Sequence, residues 1–262
     1  MRSSSRSARL LPAAPLAALV FASALAVLVT ASPTKLSPDA SFCAPGGGHP
    51  LGCGEGGVDL AALLASASLR AIGLAVGVAL VGFVVGSPLG AFAAMRRGVL
   101  ERAVARACDG LQAFPTFLLA LTVLSAIRHP SRVHLACVFA LTSWAPFARL
   151  ALSEARVLRG TGFVEAARAL GLGEAKILVR HVLPNLFGTV AVQLGATASA
   201  VVLSEASLSF VGFGPPDGVS LGAALDQGVS AMLRAPHVLI FSALAVFVTS
   251  TTLLSAARIL RR

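Results

Sequence analysis

Long stretches of the sequence contain no Asp, Glu, Lys or Arg, and they recur along its whole length. A helix that crosses the hydrocarbon core of a bilayer needs about 20 predominantly apolar residues. Six stretches reach or approach that length: Leu10–Ala31, Ala71–Met95, Gly110–Ile127, Val133–Ala148, Val182–Ser204 and Ala235–Ala257. Only 12% of the residues are charged, against about 25% in soluble domains. The sequence therefore predicts an all-α polytopic membrane protein with six transmembrane helices.

The basic residues are divided unequally between the two ends of these predicted helices. If the N-terminus is cytoplasmic, 16 of the 21 Lys and Arg residues fall on the cytoplasmic side. Cytoplasmic segments of membrane proteins carry an excess of Lys and Arg. We therefore expect both termini on the cytoplasmic side of the membrane. The net charge of +10 follows from this topology and does not indicate a nucleic-acid partner.

The first apolar stretch allows two interpretations. Three arginines precede it, and "ASA" at residues 22–24 resembles the cleavage site of a signal peptide. The run of 22 residues, 10–31, is longer than the usual apolar core of a signal. An uncleaved first helix is the expectation, with a cleaved signal as the alternative.

The segment 32–68 is expected to form an external loop rich in Gly and Pro. It contains Cys43 and Cys53, which outside the inner membrane either form a disulfide or remain two free thiols. Cys108 and Cys137 are interpreted as packing residues, because no Cys/His spacing supports a metal site.

The densest charge between apolar runs occurs in "FVEAARALGLGEAKILVRHVLPN", residues 163–185. We predict a cytoplasmic loop over 152–181, with a short helix at 163–170 followed by a turn at Gly171 and Gly173. An acidic residue early in such a helix and basic residues late are typical of helix ends. From the residues alone, the loop is either a surface for another protein or an ordinary solvated connection.

This loop resembles the EAA motif found in the permease subunits of binding-protein-dependent ABC importers. The matching residues are Glu165, Ala166, Ala167, Gly171, Leu183 and Pro184. The resemblance implies that the loop is the coupling helix, which docks into a cleft of a cytoplasmic ATPase.

Further blocks resemble the dipeptide, oligopeptide and nickel subgroup of these permeases, in particular its C-type subunit. They are "HPLG" (49–52), "VGSPLGAFAA" (85–94), "DGLQAFPTFLLAL" (109–121), "SWAPFARL" (143–150) and "EASLSFVGFGPP" (205–216). The subgroup pattern G-T-D-x-x-G-R-D after "HPLG" is replaced by "GCGEGGVD", and "SWG" after the two prolines by "SLG". The resemblance implies a type I ABC importer (MetI-like) fold. Its core of five helices would cover 69–257, after an N-terminal tail and first helix at 1–31 and before a cytoplasmic tail at 258–262.

The resemblance also implies a location in a bacterial inner membrane and the chain's partners. A second homologous permease, two ATPase subunits, an external binding protein and membrane lipid are expected, with oligopeptides, dipeptides, nickel or another small solute as substrate. No G-x-x-x-x-G-K-[ST] nucleotide loop occurs in the sequence. The chain is therefore expected to be no enzyme and to bind no cofactor or metal, with ATP and Mg on the partner ATPases.

Three residues near the outer end of the fifth predicted helix are candidates for the pathway or an external gate: Glu205, Ser207 and Phe210. An acidic residue at this depth either lines a path or anchors the helix end. Two other functions remain open for the chain. One is an ion-driven secondary transporter, which the scarcity of intramembrane charge disfavours. The other is a degenerate permease that serves as a scaffold without transport.

Overall fold

A computed structural model describes residues 14–29, 36–46, 48–128 and 130–257. Within these residues the chain is helical and contains no strand. The helices are α1 (Ala14–Val29), α2 (Leu60–Arg96), α3 (Gly98–Ala113), α4 (Thr116–Ser125), α5 (Arg132–Leu158), α6 (Gly162–Ala169), α7 (Glu174–Ile177), α8 (Leu183–Leu208), α9 (Leu221–Ser230) and α10 (Pro236–Ala256). Two π-helical segments, Leu178–Val182 and Ser209–Phe213, continue α8 at its two ends.

Four helical stretches of the described residues are long and apolar enough to cross a membrane. They are α2, α5, the continuous stretch 174–213 and α10. The bent pair α3 and α4 makes a fifth if it forms one span. The described part of α1 has only 16 residues, and its expected flanks at 10–13 and 30–31 lie outside the described residues. The structure thus confirms a polytopic helical protein, but the count of six spans is not reached.

The third expected span, Gly110–Ile127, is not one continuous helix. The chain bends by 75° between α3 and α4, where Phe114 and Pro115 have extended backbone angles. Pro115 has no N–H to continue a helix, and its ring disfavours the helical conformation of the residue before it. Pro146, by contrast, lies inside the uninterrupted helix α5.

Helix α2 begins 11 residues before the expected start at Ala71, at Leu60. Its N-cap is Asp59, whose carboxylate accepts a hydrogen bond from the backbone N–H of Ala62 at 2.9 Å. The helix therefore includes Arg70, although the apolar run begins only after this residue.

The core consists of two buried clusters at opposite ends of the helices. One joins α2, α4, α5, α8, α9 and α10 near the cysteine-containing segment and includes Leu60, Phe139 and Leu208. The other joins α2, α3 and α5 to α6 and includes Phe147 and Val164. We call these ends the disulfide end and the loop end. The tight packing of α2 on α5 holds the two ends together.

Candidate functional site

Helix α6 is a short, sharply terminated helix at the loop end. The backbone N–H groups of Val164 and Glu165 bond to the carbonyl of Thr161. At the other terminus Gly171 has φ +81°, and its N–H bonds to the carbonyl of Arg168 while the N–H of Leu172 bonds to that of Ala167. This is the Schellman arrangement, in which the left-handed position favours glycine. The sequence thus specifies both ends of α6.

The two faces of α6 have different surroundings. Val164 and Ala167 are buried in the cluster at the loop end. Glu165 and Ala166 are exposed, and they are flanked by the exposed apolar side chains of Phe163 (44%) and Leu170 (81%). Of the small residues that the motif singles out, only Ala166 is therefore on the outer face, whereas Ala167 packs beneath it.

The remaining motif residues, Leu183 and Pro184, lie at the start of α8 rather than on α6. Leu183 packs against the loop-end cluster, and Pro184 occupies the first turn of α8. The π-helical segment Leu178–Val182 directly precedes them. A proline inside a continuous helix clashes with the carbonyl four residues earlier, and a widened turn relieves that clash. The motif proline thus marks the junction between loop and span.

Charged hydrogen bonds connect α6 to the helices behind it. Arg168 binds Glu174 through two contacts of 2.5 and 3.2 Å and donates to the carbonyl of Arg159 at 3.3 Å. Arg159 donates to Glu101 at 3.2 Å and to the carbonyl of Ala94 at 2.6 Å. Glu101 is only 8% exposed. A displacement of α6 would therefore be transmitted to α2, α3 and α5.

The segment at the disulfide end is folded onto the helices. Cys43 and Cys53 are joined by a disulfide, and His49 bonds through Nδ1 to the capping carboxylate of Asp59 at 2.7 Å. The guanidinium of Arg234 lies 4.6 Å from the centre of the Phe42 ring. The segment expected to be an external loop rich in Gly and Pro is thus folded, is cross-linked by a disulfide, and packs against α2 and the turn before α10.

The three candidate gate residues do not form one group. Glu205 is 6% exposed, and its Oε1 accepts a hydrogen bond from Ser209 at 3.0 Å. Ser207 and Phe210 are exposed, and residues three positions apart share one side of a helix. Glu205 lies on the opposite, buried side. Glu205 faces a small cavity shared with Arg70 and Arg132.

Both of those arginines bind Asp217, which joins α2 and α5 at the disulfide end to the loop before α9. Asp217 contacts Arg70 at 2.7 Å and Arg132 at 2.8 Å. Burial raises the pKa of Asp217, but the backbone N–H of Val219 and the two guanidinium groups lower it more, so the pKa lies below its usual range. Sequence reasoning missed this cluster, because its members are far apart in the chain.

The arrangement of the helices matches that of a solved transporter subunit. A structure titled "Inward facing conformations of the MetNI methionine ABC transporter: CY5 SeMet soak crystal form" contains a chain with TM-score 0.59 to this one. The match covers 76% of this chain and 97% of that chain at 19% sequence identity. The fold is therefore that of an ABC importer permease of the MetI type.

Sequence comparisons give the family. Residues 86–262 match the binding-protein-dependent transport system inner membrane component family. The glutathione transport system permease protein GsiD of Pectobacterium atrosepticum is 34% identical over 206 residues, which is 78% of this chain and 68% of that protein. Its namesake in Shigella flexneri serotype 5b is 37% identical over 153 residues, 58% of this chain and only half of that protein.

The chain belongs to this family of inner-membrane permeases, within its dipeptide and oligopeptide group. Such chains are permease subunits of ABC importers and are not themselves enzymes, because ATP is hydrolysed by a separate subunit. The motif resemblance identified from the sequence is confirmed at the level of the family.

Proposed function

We propose that the chain is one of two permease subunits in an importer and that the outer face of α6 docks onto a cytoplasmic ATPase. The observation that carries this proposal is the pairing of an exposed carboxylate, Glu165, with exposed apolar side chains on a helix held firmly from behind. Apolar anchors surrounded by charge are typical of protein interfaces. ATP binding would draw two ATPases together, and the Arg168, Arg159 and Glu101 contacts would pass the motion to the spans.

The loop end is proposed to be cytoplasmic. Among the described residues it holds Arg96, Arg97, Arg102, Arg106, Arg149, Arg156, Arg159, Arg168, Lys176 and Arg180. The disulfide end holds Arg70, Arg128, Arg132 and Arg234. This excess supports a cytoplasmic loop end. The disulfide-linked segment would then face the periplasm, where disulfides persist and where a substrate-binding protein would dock.

A membrane-impermeant maleimide reagent applied to intact spheroplasts tests this orientation. We expect extra labelling only after brief reduction, because Cys43 and Cys53 then become accessible thiols, and none of that extra labelling in the variant Cys43→Ser with Cys53→Ser. The free thiols of Cys108 (buried) and Cys137 (exposed) are present in both proteins and contribute the same background labelling. Equal labelling of wild type and variant after reduction would contradict the orientation.

The substrate is proposed to be a short peptide or peptide-like solute. The relatives GsiD are named for glutathione, a tripeptide, which supports this class. ATP and Mg would bind the partner ATPases. Nickel, another member of the substrate range of the wider subgroup, is the alternative within the importer function.

The decisive experiment is to reconstitute the chain with its partner permease, ATPases and binding protein in liposomes. We expect ATPase activity that increases when the loaded binding protein is added. A secondary transporter would give solute uptake that follows an ion gradient and no associated ATPase. A scaffold would retain the ATPases, but their activity would not respond to the binding protein.

A further inference from the structure

A cavity of about 360 Å³ lies between the bend joining α3 to α4 and the middle parts of α5 and α8. Seven uncharged polar side chains line its walls. They are Gln112, Thr116, Thr142, Ser143, Gln193, Thr197 and Ser204. No described residue that lines it is acidic, basic, a histidine or a cysteine. The cavity wall therefore offers hydrogen-bonding groups but no charged side chain among the described residues.

The position of these groups argues against a purely structural purpose. Gln193 lies halfway along the continuous helical stretch 174–213, and Thr142 lies well inside α5. Polar side chains in the middle of membrane spans are costly and normally face a bundle interior or a water-filled cavity. Lipid chains would leave such groups without hydrogen-bond partners, so a lipid is a poor occupant.

Hydrogen bonds inside the cavity leave part of its polar capacity free. Gln193 donates to the hydroxyl of Thr197 at 3.3 Å, and Thr197 is only 8% exposed. Within the described part of the chain, the amide oxygen of Gln193 accepts no hydrogen bond. The hydroxyl of Thr142 donates to carbonyls of its own helix and keeps its acceptor lone pairs. A side-chain amide can both donate and accept.

We propose that this cavity contacts the transported solute, that Gln193 hydrogen-bonds to it, and that the uncharged wall tolerates solutes of either charge. The cavity recognises the amide groups of a short peptide through neutral hydrogen bonds and tolerates either sign of side-chain charge. It does not bind a bare divalent transition-metal ion, which prefers imidazole, thiolate or carboxylate ligands. This inference rests on the proposed importer function and specifies the part of the chain that meets the substrate.

The test compares uptake of two labelled tripeptides, one with a lysine and one with a glutamate in the middle, by cells that contain the complete importer. Wild type and variants use the same binding protein, so a change in the ratio of the two uptake rates comes from the permease. We expect Gln193→Glu to raise the lysine-to-glutamate ratio by about tenfold, because a carboxylate in a poorly solvated cavity favours a cation by Coulomb attraction. Gln193→Leu should lower both rates and leave the ratio unchanged.

Two further variants make the result specific. Gln112→Glu introduces the same charge at an exposed position on another wall and should shift the ratio in the same direction, even if Gln193→Glu fails to fold. Gln227→Glu is the matched control, because Gln227 lies on α9 and hydrogen-bonds to the backbone of Glu55 at the disulfide end. The control should keep the wild-type ratio.

The outcomes separate this inference from the proposed function. An unchanged ratio of uptake rates in folded Gln193→Glu and Gln112→Glu overturns the inference. Loss of the partner permease from Gln193→Leu also overturns it, because that result would show that a helix of the partner fills the cavity. Uptake of radioactive nickel that depends on Gln193 also overturns it. Binding-protein-stimulated ATPase activity without uptake of either tripeptide overturns the inference but keeps the importer function, whereas absence of any associated ATPase refutes the function itself.

Discussion

Recovery of the ATPase with the purified chain is expected to fall at least about tenfold when Glu165→Ala is combined with Gly171→Val. The first change removes the exposed carboxylate from the proposed docking face of α6. The second places a β-branched residue at φ +81°, a conformation that costs L residues about 1–2 kcal/mol. An added Cβ at Gly171 meets no atom within 4 Å, so the effect is on the terminus of α6 and not on the core. Co-purification from membranes at fixed detergent and salt gives the measurement.

A matched double variant controls for general damage to the loop. Glu154→Ala removes an acid on α5 at the same end, and Gly173→Val acts two residues beyond Gly171. Gly173 has φ −69° and ψ 149°, which suit valine, and open space for its Cβ. The control should retain the ATPase. If the Glu165 and Gly171 variant is folded and also retains it, α6 is not the docking site.

The membrane helices were predictable where the apolar run and the helix end at the same residues. The last helix was expected over 235–257 and is found at Pro236–Ala256, because a proline begins it and arginines follow the apolar run. At α2 the two kinds of boundary differ. Arg70 ends the apolar run, yet the helix extends past it to the cap at Asp59. Hydropathy indicates which residues lie in the hydrocarbon core of the membrane, whereas hydrogen-bonded caps determine where a helix begins and ends.

The candidate site was predictable in part, and for the same kind of reason. The acid, the small residues and the glycine of α6 are local signals, whereas the burial of Val164 and Ala167 is seen only in the structure. The Glu101 and Arg159 contact, the Asp217 cluster and the cavity around Gln193 join residues between 58 and 147 positions apart or on separate helices. Such contacts depend on tertiary packing and leave no periodic signal in the sequence.

Replacement of Gly90 by valine is expected to damage the folding of the chain severely. Gly82, Gly86 and Gly90 occupy one stripe of α2, spaced by four residues, where small residues allow helices to approach closely. A Cβ built on Gly90 would lie 2.1 Å from the carbonyl oxygen of Ala148 on α5, and one on Gly86 would lie 2.3 Å from that of Trp144. These neighbours are backbone atoms, so no side-chain rotation relieves the overlap.

The helices must therefore separate, which weakens the longest helix contact of the fold and, with it, the link between the loop end and the disulfide end. Overpacking of a tight core costs about 1–3 kcal/mol or more, and we expect the melting temperature in detergent to fall by at least about 5 °C, with most of the protein eluting as aggregate on gel filtration.

Gly73→Val is the matched control, since Gly73 lies on the same helix with nothing within 4 Å of its Cβ. Valine is also a better helix former than glycine, so the control should be at least as stable as wild type. Equal melting temperatures for the two variants would mean that α2 and α5 are not in backbone contact at Gly90, and the transmission of motion between the two ends would then need another route.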